Sequence, residues 1–127
     1  MKQYHLTVHR DLFFTKAALK HQDQVRVAKL LVDCGASQVM LSWATLIALK
    51  LDPAGSQIHR PIVTANGLIY MPEVILDEFH AFGQRFARLA VLAHTIPLGT
   101  GINGVIGMNF LRRFDTCLNF KRATMQI

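Results

Sequence analysis

Cysteine is nearly absent: Cys34 and Cys117 are the only two in 127 residues. Two thiols cannot build a disulfide scaffold and carry no metal-ligand spacing, so reduced thiols are expected, with no metal and no other cofactor. Acidic residues number eight against fourteen Lys and Arg, giving a net charge of +6. The basic residues fall singly or in pairs, as at Arg112-Arg113 and Lys121-Arg122. That scatter suits a solvated surface better than a groove tracking phosphates, so nucleic acid is not the expected partner. No apolar run approaches a bilayer span, and Met1-Lys2-Gln3-Tyr4-His5 does not lead into a signal-peptide core. The expectation is a cytoplasmic chain without a membrane segment, unless it was cut from a longer anchored one. The glycine-rich stretch from Pro97 to Asn103 lacks the Lys-Ser/Thr of a phosphate-binding loop and reads as a connection.

What is present is apolar residue, at 51% of the chain, with no low-complexity tract and no solenoid repeat. That supports a single domain over residues 1–127. Alternation predicts strands over Tyr4–His9, Phe13–Lys20 and Val25–Val32, the last two joined through the polar His21–Gln24. Ser42 is placed to cap a short helix over Trp43–Leu49, with Leu46, Ile47 and Leu49 near one face. Ile58–Ala65 and Leu68–Leu76 read as a hairpin turning at Asn66-Gly67, with Pro61 and Pro72 interrupting its arms. A second hairpin, Val74–His80 with Gln84–Leu92, turns at Ala81-Phe82-Gly83. Met108–Phe114 suits two helical turns, and Thr116–Phe120 and Thr124–Ile127 suit closing strands. The fold class is mostly β with two short helices.

The stretch that draws most attention is Lys29-Leu30-Leu31-Val32-Asp33-Cys34-Gly35-Ala36-Ser37. A buried-strand pattern delivers the carboxylate of Asp33 into a turn, where a charge must be neutralised, hydrogen-bonded or used. Two readings stand side by side. Asp33 is either a catalytic carboxylate or a turn residue accepting bonds from nearby backbone N–H groups. Likewise, the Asn66-Gly67 hairpin is either a movable lid or an ordinary surface hairpin.

Leu31-Val32-Asp33-Cys34-Gly35-Ala36-Ser37, taken with Val105-Ile106-Gly107 and the helix after it, resembles the retropepsin-like aspartic proteases, retroviral and single-domain cellular. The first segment is similar to the family's Asp-Thr-Gly-Ala-Ser turn. Thr64-Ala65-Asn66-Gly67 sits where the family carries its flap. The resemblance implies a closed, orthogonal β-barrel-like subunit and an endopeptidase acting on polypeptides. It implies Asp33 as the catalytic residue, Cys34 to Ser37 as the active-site turn and Thr64 to Gly67 as the substrate-covering flap. Ile106 and Gly107 would support the site, Gly107 by letting a neighbouring segment pack close beneath the turn.

Hydrolysis by this class needs two carboxylates sharing one proton, and the chain has one Asp-x-Gly turn, so a homodimer is implied. Gly35 would let backbone approach partner and substrate. Ala36 lacks the hydroxyl that pepsin-like enzymes place here, which implies an activity optimum less acid than pepsin's. Cys34 departs from the family's Thr; a thiol is the weaker hydrogen-bonding group across a two-fold axis. Cysteine catalysis needs an electropositive setting that Asp33 denies to Cys34. The alternative is a weakly active or inactive module of the same fold that binds peptides or dimerises.

Overall fold

The computed structural model describes residues 1–96 and 100–127. The part of the proposed glycine-rich connection at 97–99 lies outside the described residues. Strands are β1 (Gln3–His5), β2 (Thr7–His9), β3 (Leu12–His21), β4 (Gln24–Val32), β5 (Met40–Ser42), β6 (His59–Thr64), β7 (Gly67–Ala81), β8 (Gln84–His94), β9 (Gly104–Ile106), β10 (Cys117–Asn119) and β11 (Thr124–Gln126). Helices α1 (Trp43–Ala48) and α2 (Met108–Leu111) are short, and Pro53–Gly55 forms a single 3-10 turn. Among the described residues the chain is therefore mostly β with two short α-helices, as the sequence pattern predicts.

One sheet runs β2-β3-β4-β9-β5-β8-β7-β6, and β3 also pairs with β7. The pairing returns the sheet on itself as a ring, with β2 and β6 outside it. Only Ala18–Lys20 and Glu78–His80 make that join, so the ring is pinched and is not a regular closed barrel. A separate sheet, β1-β11-β10, packs the first strand beside the last two.

The ring encloses a core in which Leu19, Leu30, Leu41, Leu46, Leu76, Ile106 and Phe110 are fully buried. Phe110 anchors α2, with ring centroids 5.0 Å from Phe79 and 5.2 Å from Phe114. Burying such a side chain stabilises by about 3 kcal/mol, which holds a helix of one turn too short to be stable alone.

Several elements depart from the sequence expectation. Tyr4–His9 divides at Leu6, which is buried and donates its N–H to Ala123 O at 2.8 Å; the chain leaves one sheet there and enters the other. Ser42 caps α1 by accepting from Thr45 N at 3.1 Å, and Leu46 and Leu49 are buried, but Ile47 is 58% exposed. One residue on from Leu46 is about 100° around the helix, off the buried face. The predicted two-turn helix ends after four residues at Leu111. The two expected strands from Leu68 to His80 are one continuous strand, β7, whose first half pairs with β6 and second half with β8.

The hairpin turns also trade chemistry. Thr64 pairs with Gly67, so the connecting residues are Ala65-Asn66, and the positive φ, +117°, falls on Gly67. A type I turn has glycine favoured at its fourth position, which is where Gly67 stands. The Thr64 hydroxyl accepts from Asn66 N at 3.2 Å and donates to Gly67 O at 2.9 Å, fixing the tip. Arg10-Asp11 and Phe82-Gly83, by contrast, have both connecting residues at positive φ, the geometry that matches strand twist in two-residue hairpins.

Candidate active site

Asp33 stands where β4 ends. Leu30, Leu31 and Val32 pair in parallel with Gly104, Val105 and Ile106, and Asp33 continues that ladder by donating its N–H to Ile106 O at 3.0 Å. The chain then turns: Ala36 N donates to Asp33 O at 3.2 Å, and Gly35 N to the Asp33 carboxylate Oδ1 at 2.9 Å. Asp33 is half-buried, while Cys34, Gly35 and Ser37 are exposed. One carboxylate oxygen is thus fixed by backbone, and among the described residues the other accepts no protein hydrogen bond.

The turn is held from below by the chain that follows β9. Met108 N donates to Ala36 O at 2.8 Å and Asn109 N to Ser37 O at 3.0 Å. Gly107 lies against this backbone; a Cβ there would fall 2.9 Å from Ala36 O and 2.5 Å from the Gln38 carbonyl carbon, separations no real side chain tolerates. At Gly35 a Cβ would come 3.2 Å from Asp33 Oδ1. Ile106 is fully buried beneath the turn. The structure therefore brings Asp33, the turn residues Cys34 to Ser37, Ile106 and Gly107 into one assembly.

Thr64 to Gly67 are separate from it. They form the tip of the β6–β7 hairpin, and among the described residues no hydrogen bond joins that tip to the turn. The contact is made at the hairpin's base. Glu73, buried in β7, accepts from Arg60 Nε of β6 at 2.8 Å and from Gln38 Nε2, just past the active-site turn, at 3.4 Å. The Glu73 hydrogen bond, then its charge, raises the Arg60 guanidinium above its ordinary value.

Sequence reasoning missed these supports. Asn109 is the clearest: its Oδ1 accepts from Val39 N at 2.8 Å and its Nδ2 donates to Ala90 O at 2.9 Å, tying the turn to β8. Asn103 does the same upstream, accepting from Lys29 N at 2.8 Å through its side chain. A lone Asn in an otherwise apolar Met108-Asn109-Phe110-Leu111 run was the available signal.

Two large cavities are among those that flank the turn. One, of about 640 Å³, is lined mainly by apolar side chains, Val8, Leu12, Phe13, Val32 and Phe120 among them, with Asp33 itself and the charged Asp11 and Lys121. The other, of about 690 Å³, lies beside Gly35, Ala36 and Ser37. His5 and His9 stand four residues apart, a spacing that suits zinc on a helix, but they fall on different strands, β1 and β2. Among the described residues no three His, Cys, Asp or Glu side chains cluster to hold a metal.

The aspartyl protease family model matches residues 17–110, which takes in Asp33, the hairpin and α1 through most of α2. No curated protein sequence gives a significant match. Among solved structures, a retropepsin-like aspartic protease from Rickettsia conorii superposes with a TM-score of 0.72 at 21% identity, covering 98% of each chain. That likeness establishes a shared fold from the first strand to the last. The family model, spanning most of the sequence, adds descent: the chain belongs to the aspartyl protease family and has the retropepsin-like fold.

Proposed function

We propose that the chain is a homodimeric aspartic endopeptidase whose dyad is built from Asp33 of each subunit. The observation that carries this is the single Asp-x-Gly turn, with a half-buried carboxylate fixed through one oxygen and open at the other. Two such carboxylates meeting at a two-fold axis cannot both ionise. The ionised member takes a proton from a water held between them, and the protonated member polarises the scissile carbonyl. The water oxygen attacks the carbonyl carbon, and the proton passes to the leaving amine as the C–N bond breaks.

The hairpin suits the role of a flap. Val63, Leu68 and Tyr70 are 83%, 55% and 64% exposed, an apolar surface that gains free energy by closing over a bound polypeptide. Cys34, Gly35, Ala36 and Ser37 would shape the backbone beside the scissile bond, with Ile106 and Gly107 supporting them. The mainly apolar cavity at Asp33 fits a hydrophobic side chain next to that bond.

Peptide-library cleavage across about pH 3 to 7, the range bracketing carboxylate titration, tests the reading. Cleavage by the wild type, its loss in Asp33→Asn and inhibition by a pepstatin-type compound are expected. An active monomer in analytical ultracentrifugation would overturn the shared dyad. The second reading, a non-catalytic peptide-binding module, is favoured by Cys34, whose exposed thiol makes no hydrogen bond among the described residues. If that thiol is the defect, Cys34→Thr tightens dimerisation and raises turnover.

A further inference from the structure

The cavity of about 690 Å³ beside the active-site turn is lined by Gly35, Ala36 and Ser37 on one side and by Arg112 and Arg113 on the other, with no acidic side chain. Among the described residues neither arginine is in an ion pair. Arg113 is nonetheless held in place, its guanidinium 5.2 Å from the centroid of the Phe86 ring, an arrangement that leaves the N–H edge free to donate. Asn109 also lines the cavity, but both ends of its amide are engaged by Val39 and Ala90. The charge on offer is therefore wholly positive.

The positive character continues away from the turn. An adjoining cavity of about 560 Å³ shares Asn109 and Arg113 and adds Arg60, Arg88 and Glu73. Glu73, its one acid, is already paired with Arg60. The result is a trough that starts at the catalytic turn and is flanked by guanidinium groups along its length. Guanidinium presents a planar fork of donors that matches a carboxylate with two parallel hydrogen bonds.

We propose that this trough is a subsite for a carboxylate carried by the substrate, with Arg112 and Arg113 as the residues that set the preference. The proposal rests on the peptidase reading above and names its substrate class: polypeptides with an acidic group near the scissile bond. Gly35, which lines the trough, follows Asp33 within the same tight turn, its N–H donating to the Asp33 carboxylate. The acidic group accordingly lies within a few substrate residues of the bond that is cut. Its source is an internal Asp or Glu side chain or the substrate's own C-terminal carboxylate, which share the same chemistry.

The test uses peptide sets differing only in Glu, Gln or Lys at each position within four residues of the scissile bond, each made with a free and an amidated C-terminus. Wild type is expected to favour Glu over Gln at one position by about tenfold in kcat/KM, as for one charge-assisted bidentate contact. The ratio falls to near unity in Arg112→Gln/Arg113→Gln. In Arg113→Glu the order inverts towards Lys, an inversion that misfolding cannot produce. A preference that follows the free terminus and ignores internal Glu assigns the trough to the terminal carboxylate. An unchanged Glu-to-Gln ratio in the double variant, or no preference in wild type, overturns the subsite. If no peptide is cleaved by any form, the peptidase reading fails on its own. Fluorescence anisotropy of the same peptides on Asp33→Asn then decides: binding of the Glu peptide that is lost in the arginine variants upholds the subsite, and equal binding of Glu and Gln peptides overturns it.

Discussion

The Asp33 turn and the β6–β7 hairpin are built on opposite plans. Around Asp33 the backbone is bonded from several sides: Ile106 O, Met108 N and Asn109 N below, and the Asn109 amide reaching to β8. The β6–β7 hairpin has its own ladder, a hydroxyl-pinned tip and one ionic anchor at its base. Chemistry that depends on a carboxylate held to within a fraction of an ångström needs the first plan, because each fixed contact removes freedom that would otherwise be lost during the reaction. A cover that admits and releases a chain, the role proposed for the hairpin, needs the second, with fewer ties to the rest of the fold.

The sharpest way to break this contrast is at Gly107. Placing a methyl group against the backbone of Ala36 and Gln38 forces the turn away from α2, and Gly107→Ala is expected to cost about 3 kcal/mol, read by denaturant unfolding. A cost near zero would show that the turn gives way easily and is no more rigid than the hairpin. A smaller and local effect is expected at the hairpin's anchor. Glu73→Ala frees Arg60 and Gln38, and amide exchange along Ile62–Leu68 quickens by about tenfold while the amides of Gly35 and Ala36 keep their protection. Exchange that quickens equally in both regions would mean that they open as one unit.

The least effect is expected far from both, at Glu78, where Arg85 at 2.7 Å, His80 at 3.1 Å and Lys20 at 3.4 Å converge. Hydrogen bonds from Arg85 and then His80 hold its carboxyl at about 2, below the ordinary 4.5. Because the folded value is the lower one, the stabilisation is complete above the ordinary value and is lost as pH falls towards 2. The gap in melting temperature between wild type and Glu78→Gln therefore narrows from pH 5 to pH 2; a constant gap would exclude ionisation as its cause. Asp77 shifts in the same direction, chiefly through the Gln22 N–H it accepts.

Much of this architecture was legible in the chain. The apolar run ending in Asp33-Cys34-Gly35, the paired arms around Asn66-Gly67 and the Ser42 cap each announce themselves within a few residues, because their physics is local. Strands β5 and β9 were not legible: three residues carry no readable period, and both exist through parallel pairing with β8 and β4, dozens of residues away. The same holds for Asn109 and Glu73. Asn109 stands out from its apolar neighbours, but what it and Glu73 bond becomes visible only when the fold surrounds them with Val39, Ala90, Arg60 and Gln38.

The short sheet β1-β11-β10 leaves a practical consequence. Lys2 and Ile127 exchange both of their backbone hydrogen bonds, at 3.1 and 3.0 Å, so the first strand and the last are clasped together. Since the entropy of closing a loop grows only with the logarithm of its length, a clasp between Lys2 and Ile127 costs little more than one across half that span. A few glycines suffice to splice these neighbours, and the exposed Arg10-Asp11 turn, with both residues at positive φ, is the natural place to cut new ends. The order of strands around the ring is expected to survive such a rewiring, read as the same cross-strand amide contacts by NMR, which would separate the covalent path from the spatial one.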